Sequence, residues 1–136
     1  MKIFQVAAAV VRRKNQILLC SRKPESELAC CYEFPGGKAE PGETLSDCLR
    51  RELGEELGTD VYVLDHLGEN VVELENRVYH LHFLRAVLRP GAPEPQPREG
   101  QEMFWFETAQ LHQIRLLPGD AAVADWLVNA EKSEIF

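Results

Sequence analysis

Two helical segments stand far apart in a chain otherwise made of short β-rich runs, and that spacing leaves few architectures open. The first helix runs from about Leu45 to Leu57: Thr44 can cap it, Asp47 stands near the favourable end of the dipole, and Gly58 stops it. The second follows Pro118-Gly119-Asp120 and continues to about Lys132, with Ala122, Val123, Trp126 and Leu127 inward. Before and between them lie strands. Lys2 to Arg13 and Gln16 to Ser21 form a hairpin about Lys14-Asn15, and residues 22–34 read as a loop ending in a short strand. Pro35-Gly36-Gly37 forces a sharp turn. Thr59 to Leu74 supplies one or two strands, Glu75-Asn76-Arg77 a turn, Val78 to Leu88 another strand, and Glu102 to Phe106 the last. Between the last two, Arg89 to Gln101 carries Pro90, Pro93, Pro95 and Pro97 and reads as an extended surface loop unable to join a sheet. The expected class is α/β: a mixed sheet packed between helices, an α/β/α sandwich.

The 136 residues suit one domain spanning 1–136, and 45% hydrophobic with 27% charged residues is ordinary globular balance. Acidic residues outnumber basic ones by 22 to 15, and the net charge of −7 argues against a nucleic-acid polymer as partner. A polyanion could still bind through metal ions. The longest apolar run, Val6 to Val11, is too short for a membrane span or a signal peptide, so a cytoplasmic protein without membrane association is expected. A monomer or weak dimer is the expected state. Cys20, Cys30, Cys31 and Cys48 form no C-x-x-C pair, and they read as buried thiols rather than a zinc site or disulfide framework.

The most informative segment is Gly37 to Thr59, which holds six acids and three bases. On a helical wheel Glu52 continues the stripe of Leu45, Cys48 and Leu49, and Glu55 and Glu56 flank it within about 60°. Three acids therefore lean toward the protein body. Glu52 with Glu56, and Glu52 with Glu55, are like-charge pairs at helical spacing, and Glu55 and Glu56 sit where the dipole disfavours anions. Rules broken together in one sense mark a functional site more often than a solvated acidic face paired with Arg50 and Arg51. Three carboxylates without a soft ligand suit Mg²⁺, or Mn²⁺ as a substitute, and hard cations held this way work on phosphates. The Gly36-Gly37 turn allows close backbone approach, and Lys38 adds a point charge for phosphate.

These residues resemble the Nudix box, G-x5-E-x7-R-E-U-x-E-E-x-G-U, with U a bulky aliphatic. Gly37, Glu43, Arg51, Glu52, Leu53, Glu55, Glu56 and Gly58 stand at its spacing over residues 37–59, and only Thr59 departs, where an aliphatic is usual. The lead-in Tyr32-Glu33-Phe34-Pro35-Gly36-Gly37-Lys38 and the N-terminal hairpin are similar to the MutT-like nucleoside triphosphate pyrophosphohydrolases. The resemblance implies a Nudix-type sandwich that converts a nucleoside triphosphate to a monophosphate and pyrophosphate. It implies that Glu52, Glu55 and Glu56 with the Gly36 carbonyl hold the metals, that Glu52 is the first candidate to orient water, and that Arg51 and Glu43 brace loop and helix. Glu99, in Arg98-Glu99-Gly100-Gln101, resembles a further acid reaching the metal or water; the plain alternative is a solvated surface acid. Arg22 resembles a phosphate-contacting arginine, again beside the reading of an ordinary surface residue.

Base recognition rests on Asp120, which resembles the Asn or Asp that this branch sets against the base edge. Its carboxylate accepts from an exocyclic amine or, protonated, also donates to a carbonyl, so it suits cytosine and an oxidised guanine alike. Its plain alternative is a cap on the last helix, accepting from Ala122 or Val123. Phe34 flanks the base or belongs to the core. His80 and His82 alternate on one strand face, but no third ligand stands near them in the sequence. Trp105 and Trp126 read as packing. The expected substrate is 8-oxo-dGTP, with CTP, dCTP or a 5-modified dCTP next. A nucleoside diphosphate sugar hydrolase and a non-catalytic nucleotide-binding module are the remaining alternatives.

Overall fold

The long N-terminal strand organises the molecule, because its alternate side chains feed two different cores. A computed structural model describes residues 2–21 and 31–132 of the chain. β1 (Lys2–Arg13) pairs parallel with β6 (Arg77–Leu88), from Lys2 opposite Arg77 to Val11 opposite Ala86. On its other side it pairs antiparallel with β4 (Gly36–Lys38), and at its end with β2 (Gln16–Ser21). β2 in turn carries β3 (Tyr32–Glu33) and β7 (Met103–Glu107), while β5 (Val61–Leu74) lies antiparallel on β6.

Ala7, Ala9 and Val11 face α1 (Leu45–Leu57) and pack with Cys48, Leu49, Leu53 and Leu57. Ala8 and Val10 face the other way, toward Phe34, Phe83 and the Val123, Ala124 and Leu127 stripe of α2 (Ala122–Lys132). A helix on each face of a mixed sheet is the sandwich expected from the order of elements. Small residues along β1 let both layers approach the backbone closely.

Several boundaries differ from the sequence reading, each for a nonlocal reason. Residues 36–38 form strand β4 rather than the expected turn, with only a bend at Pro35, because Gly36 and Gly37 lie opposite Ala8 and Ala7. Thr59–Leu74 yields one strand with two register shifts, between Val63 and His66 and between His66 and Gly68. A 3-10 turn at Thr108–Gln113 carries a reciprocal cap between Glu107 and Gln110 that the sequence reading did not include. Cys20, Cys31 and Cys48 are buried free thiols, as expected, and Cys30 lies outside the described residues. No helix among the described residues is long and apolar enough to cross a membrane.

Candidate active site

The helix α1 begins as its sequence dictates: Thr44 Oγ1 accepts from the Asp47 amide at 3.1 Å. It ends at Gly58 in the left-handed conformation, whose amide donates to the Gly54 carbonyl at 3.1 Å. Between these caps Arg51 gathers the acids of the motif into one network. Its Nε and Nη2 grip Glu43 in a two-pronged pair at 2.8 and 2.9 Å, Nη1 reaches Glu52 Oε1 at 2.9 Å, and Nη2 also donates to the Lys38 carbonyl at 3.1 Å. That fork holds the Glu43 carboxyl down at about 2, with a further bond from the Glu40 amide.

Glu52 and Glu56 do lean inward, as the wheel requires. Glu55 does not: it lies at the exposed rim, 3.5 Å from Arg51. Glu52 fits against Gly37 so closely that a Cβ there would lie 2.5 Å from the Glu52 carboxyl carbon, so a side chain at 37 would push that carboxylate aside. Glu56 is strongly perturbed. Burial first, then the neighbouring charges of Glu52, Glu99 and Glu33, push its carboxyl up to about 8, partly offset by the Gly36 amide. Burial likewise raises Glu52, against the pull of Arg51.

The proline-rich segment is not a free loop. The Gln96 and Arg98 amides donate to the Leu57 and Glu56 carbonyls at 3.0 Å each, and Gln101 Nε2 adds a bond to Glu56 O at 3.3 Å. The segment thus satisfies helix-end acceptors, and the Arg98 guanidinium lies over Gly58, at the negative end of the dipole. Thr59, the one departure from the box, is buried, and its hydroxyl donates to Pro93 O at 2.6 Å. A hydroxyl is useful there because it ties the loop to the helix end. Glu99 is held on this loop by Gln101 Oε1, which accepts from its amide at 2.8 Å, and its charge is felt at both Glu52 and Glu56.

The other expected site residues fall in three places. Lys38 is exposed, with its ammonium over the Phe4 ring at 4.4 Å and Tyr79 beyond, so it sits beside the α2 layer. Phe34 is buried, edge to face with Phe83. Asp120 is buried too, and its Oδ2 accepts from the Phe34 amide at 3.1 Å, while its backbone carbonyl accepts from Val123. Nearby, Asn70 Nδ2 holds the Gly119 carbonyl at 3.1 Å, and Leu81 and Val72 crowd Gly119. Arg22 lies outside the described residues. Glu33 is a participant that helix periodicity could not reveal: it reaches the acids from β3. Trp105 packs on the α1 core beneath Arg13, and Trp126 on Phe83 and Gly68.

Like-charged carboxylates that feel one another suit a hard divalent cation: Glu52 and Glu56 are partly buried, whereas Glu99 stands exposed on the docked loop, as a solvated acid would. The NUDIX domain pattern matches residues 2–127. Among relatives, a CTP pyrophosphohydrolase of Escherichia coli K12 is 36% identical over 120 residues, 88% of this chain and 87% of that protein. An 8-oxo-dGTP diphosphatase of Haemophilus influenzae is 36% identical over 129 residues, 94% and 93% of the two. Among solved structures, the E. coli ORF135 protein superposes with a TM-score of 0.85 at 32% identity, covering 98% of this chain and 94% of that one. A MutT protein of Methanosarcina mazei shares the fold, with a TM-score of 0.75 at 22% identity over 98% and 96%. The chain belongs to the Nudix family. Within it, the protein is a MutT-like hydrolase of nucleotide phosphoanhydride bonds.

Proposed function

We propose that the protein converts nucleoside triphosphates to monophosphates and pyrophosphate with Mg²⁺, Mn²⁺ serving as a substitute, and that 8-oxo-dGTP is its preferred substrate in the cytoplasm. The observation that carries this reading is the electrostatic coupling of Glu52 and Glu56, partly buried on a helix, with Glu99, exposed on the loop docked against that helix's end. Glu52, Glu55, Glu56, Glu99 and the Gly36 carbonyl would hold the cations. Bound there, they would neutralise the polyphosphate and favour ionisation of water.

The chain's own residues then divide the remaining tasks. Glu52 has one oxygen fixed by Arg51, which leaves the other to orient the attacking water and accept its proton. The water oxygen bonds to phosphorus as the phosphoanhydride bond breaks. Arg51 and Glu43 keep that carboxylate from swinging, and Lys38 and Arg22 are assigned to phosphate oxygens. Phe34 and Asp120 are assigned to the base.

CTP and dCTP form the second reading, favoured by the equal 36% identity to a CTP pyrophosphohydrolase. An Asp at position 120 serves either base. Pyrophosphate release from a panel of canonical and oxidised triphosphates, with Glu52→Gln beside the wild type, separates these readings. The variant is expected to lose activity by about 10²-fold or more, the usual scale for a general base. If no triphosphate yields pyrophosphate under Mg²⁺ or Mn²⁺, or if the variant equals the wild type, the proposal fails. Highest kcat/KM on CTP would move the assignment to the second reading.

A further inference from the structure

His80 and His82 lack a third ligand nearby in sequence, but the fold supplies one. His82 lies opposite Glu69 in the β5–β6 ladder, and the register shifts on both sides of His66 bring that residue to the same place. In a regular strand, residues three apart point to opposite faces, so His66 and Glu69 could not converge without this irregularity. As folded, His66 Nε2 stands 3.3 Å from His82 Nδ1 and 4.0 Å from Glu69 Oε2, and three ligand atoms from these residues lie within 4.8 Å of one another.

We propose that His66, Glu69 and His82 form a second metal site, for a divalent ion of the zinc class, separate from the carboxylates of α1. Two nitrogens bound tetrahedrally at about 2.0–2.1 Å stand roughly 3.3 Å apart, which is the observed imidazole spacing. Imidazole nitrogen with one carboxylate selects zinc-class ions over Mg²⁺, which prefers oxygen donors. Two of the three ligands have the buttress expected around such a site. His82 Nε2 donates to Gln5 Oε1 at 2.7 Å, which turns the Nδ1 lone pair toward His66. His80 Nε2 meets Glu69 Oε1 at 2.5 Å and leaves Oε2 for the metal. To ligate, neutral His66 carries its proton on Nδ1 and offers Nε2, so the metal replaces the imidazole-to-imidazole hydrogen bond.

The site does not overlap the first. His82 lies opposite Ala7, and Ala7 opposite Gly37, the residue that Glu52 covers, so about 10 Å, two strand spacings, separates the two clusters. Partial exposure of His66 and Glu69 leaves a fourth position open to solvent.

The test is calorimetric titration of the chelator-stripped full chain with Zn²⁺ in excess Mg²⁺, which keeps the first site filled. One equivalent of Zn²⁺ is expected in the wild type and equally in Glu56→Gln, whereas His66→Asn and His82→Asn should lose it. Gln5→Leu keeps every ligand and should weaken binding by about 10–100-fold. Thermal unfolding without metal establishes that the variants fold. Absence of the equivalent in wild type, or its persistence in folded His66→Asn and His82→Asn, would show that the two imidazoles share only a hydrogen bond and overturn the proposal.

Discussion

Glu56 concentrates the conflict at the site into one side chain. Its carboxyl titrates near 4.5 in an open chain and is pushed up to about 8 when folded, because burial and the charges of Glu52, Glu99 and Glu33 oppose ionisation. The unfolded chain therefore gives up this proton first. The stability associated with the protonated form is complete below about pH 4.5 and is lost as pH rises through 8. Burial beside His80 holds His82 below its usual 6.5, with the opposite effect at lower pH, so the informative window lies above 6.5. The Tm of metal-free protein should fall between about pH 6.5 and pH 8.5, Mg²⁺ should restore it, and Glu56→Gln should flatten the profile. A profile unchanged by that substitution would remove Glu56 as the source. At this scale the sequence was a good guide to Glu52 and Glu56, which obey helical periodicity. It misplaced Glu55, whose angle on the wheel marks an edge and whose side chain turns out to Arg51 and solvent.

The C-terminus of α1 is an element joined to its neighbour by more than its cap. Gly58 holds φ of 63°, and a Cβ there would fall 2.5 Å from the Arg98 guanidinium carbon. Gly58→Ala should cost about 1–3 kcal/mol in urea unfolding, from backbone strain alone, and should lower activity further by displacing the strand of chain that carries Glu99. Adding Arg98→Ala should return part of the activity while leaving the backbone penalty. If the double variant behaves as the sum of the singles, the contact between the two positions is unimportant. The helix itself was legible because cap, stripe and glycine stop are local signals. Docking of Arg89 to Gln101 was not legible, since the amides of Gln96 and Arg98 find acceptors that only the folded helix presents. The β5 irregularity was hidden for the same reason: nothing near His66 announces that it will share a face with Glu69.

Across the whole molecule, Asp120 is the stitch between the segment before α2 and the backbone of Phe34. It contacts the lead-in to the Nudix box, so its substitution tests base choice and loop placement together. Asp120→Asn keeps an acceptor for the Phe34 amide and should reorder the preference among bases with little change in Tm. Asp120→Ala should lower Tm as well, by leaving a buried donor unpaired at a cost of about 1–3 kcal/mol. An identical substrate ranking in both variants would exclude base reading by this carboxylate. The sandwich was foreseeable from the order of elements, whereas the partners of β1 were not, because strand pairing depends on residues far away in the chain.

That pairing also sets the order in which the chain can assemble. Lys2 to Val11 take their parallel partner from Arg77 to Ala86, so a growing chain carries its central strand unpaired on that side while the entire Nudix box is made. The box helix has its own caps, but the floor on which Leu49 and Leu53 rest is completed only when β6 arrives. A fragment ending before residue 77 would hold the whole motif and still lack the sheet against which its helix packs. Such contacts between distant residues slow folding and extend the time during which an apolar strand is open to other chains.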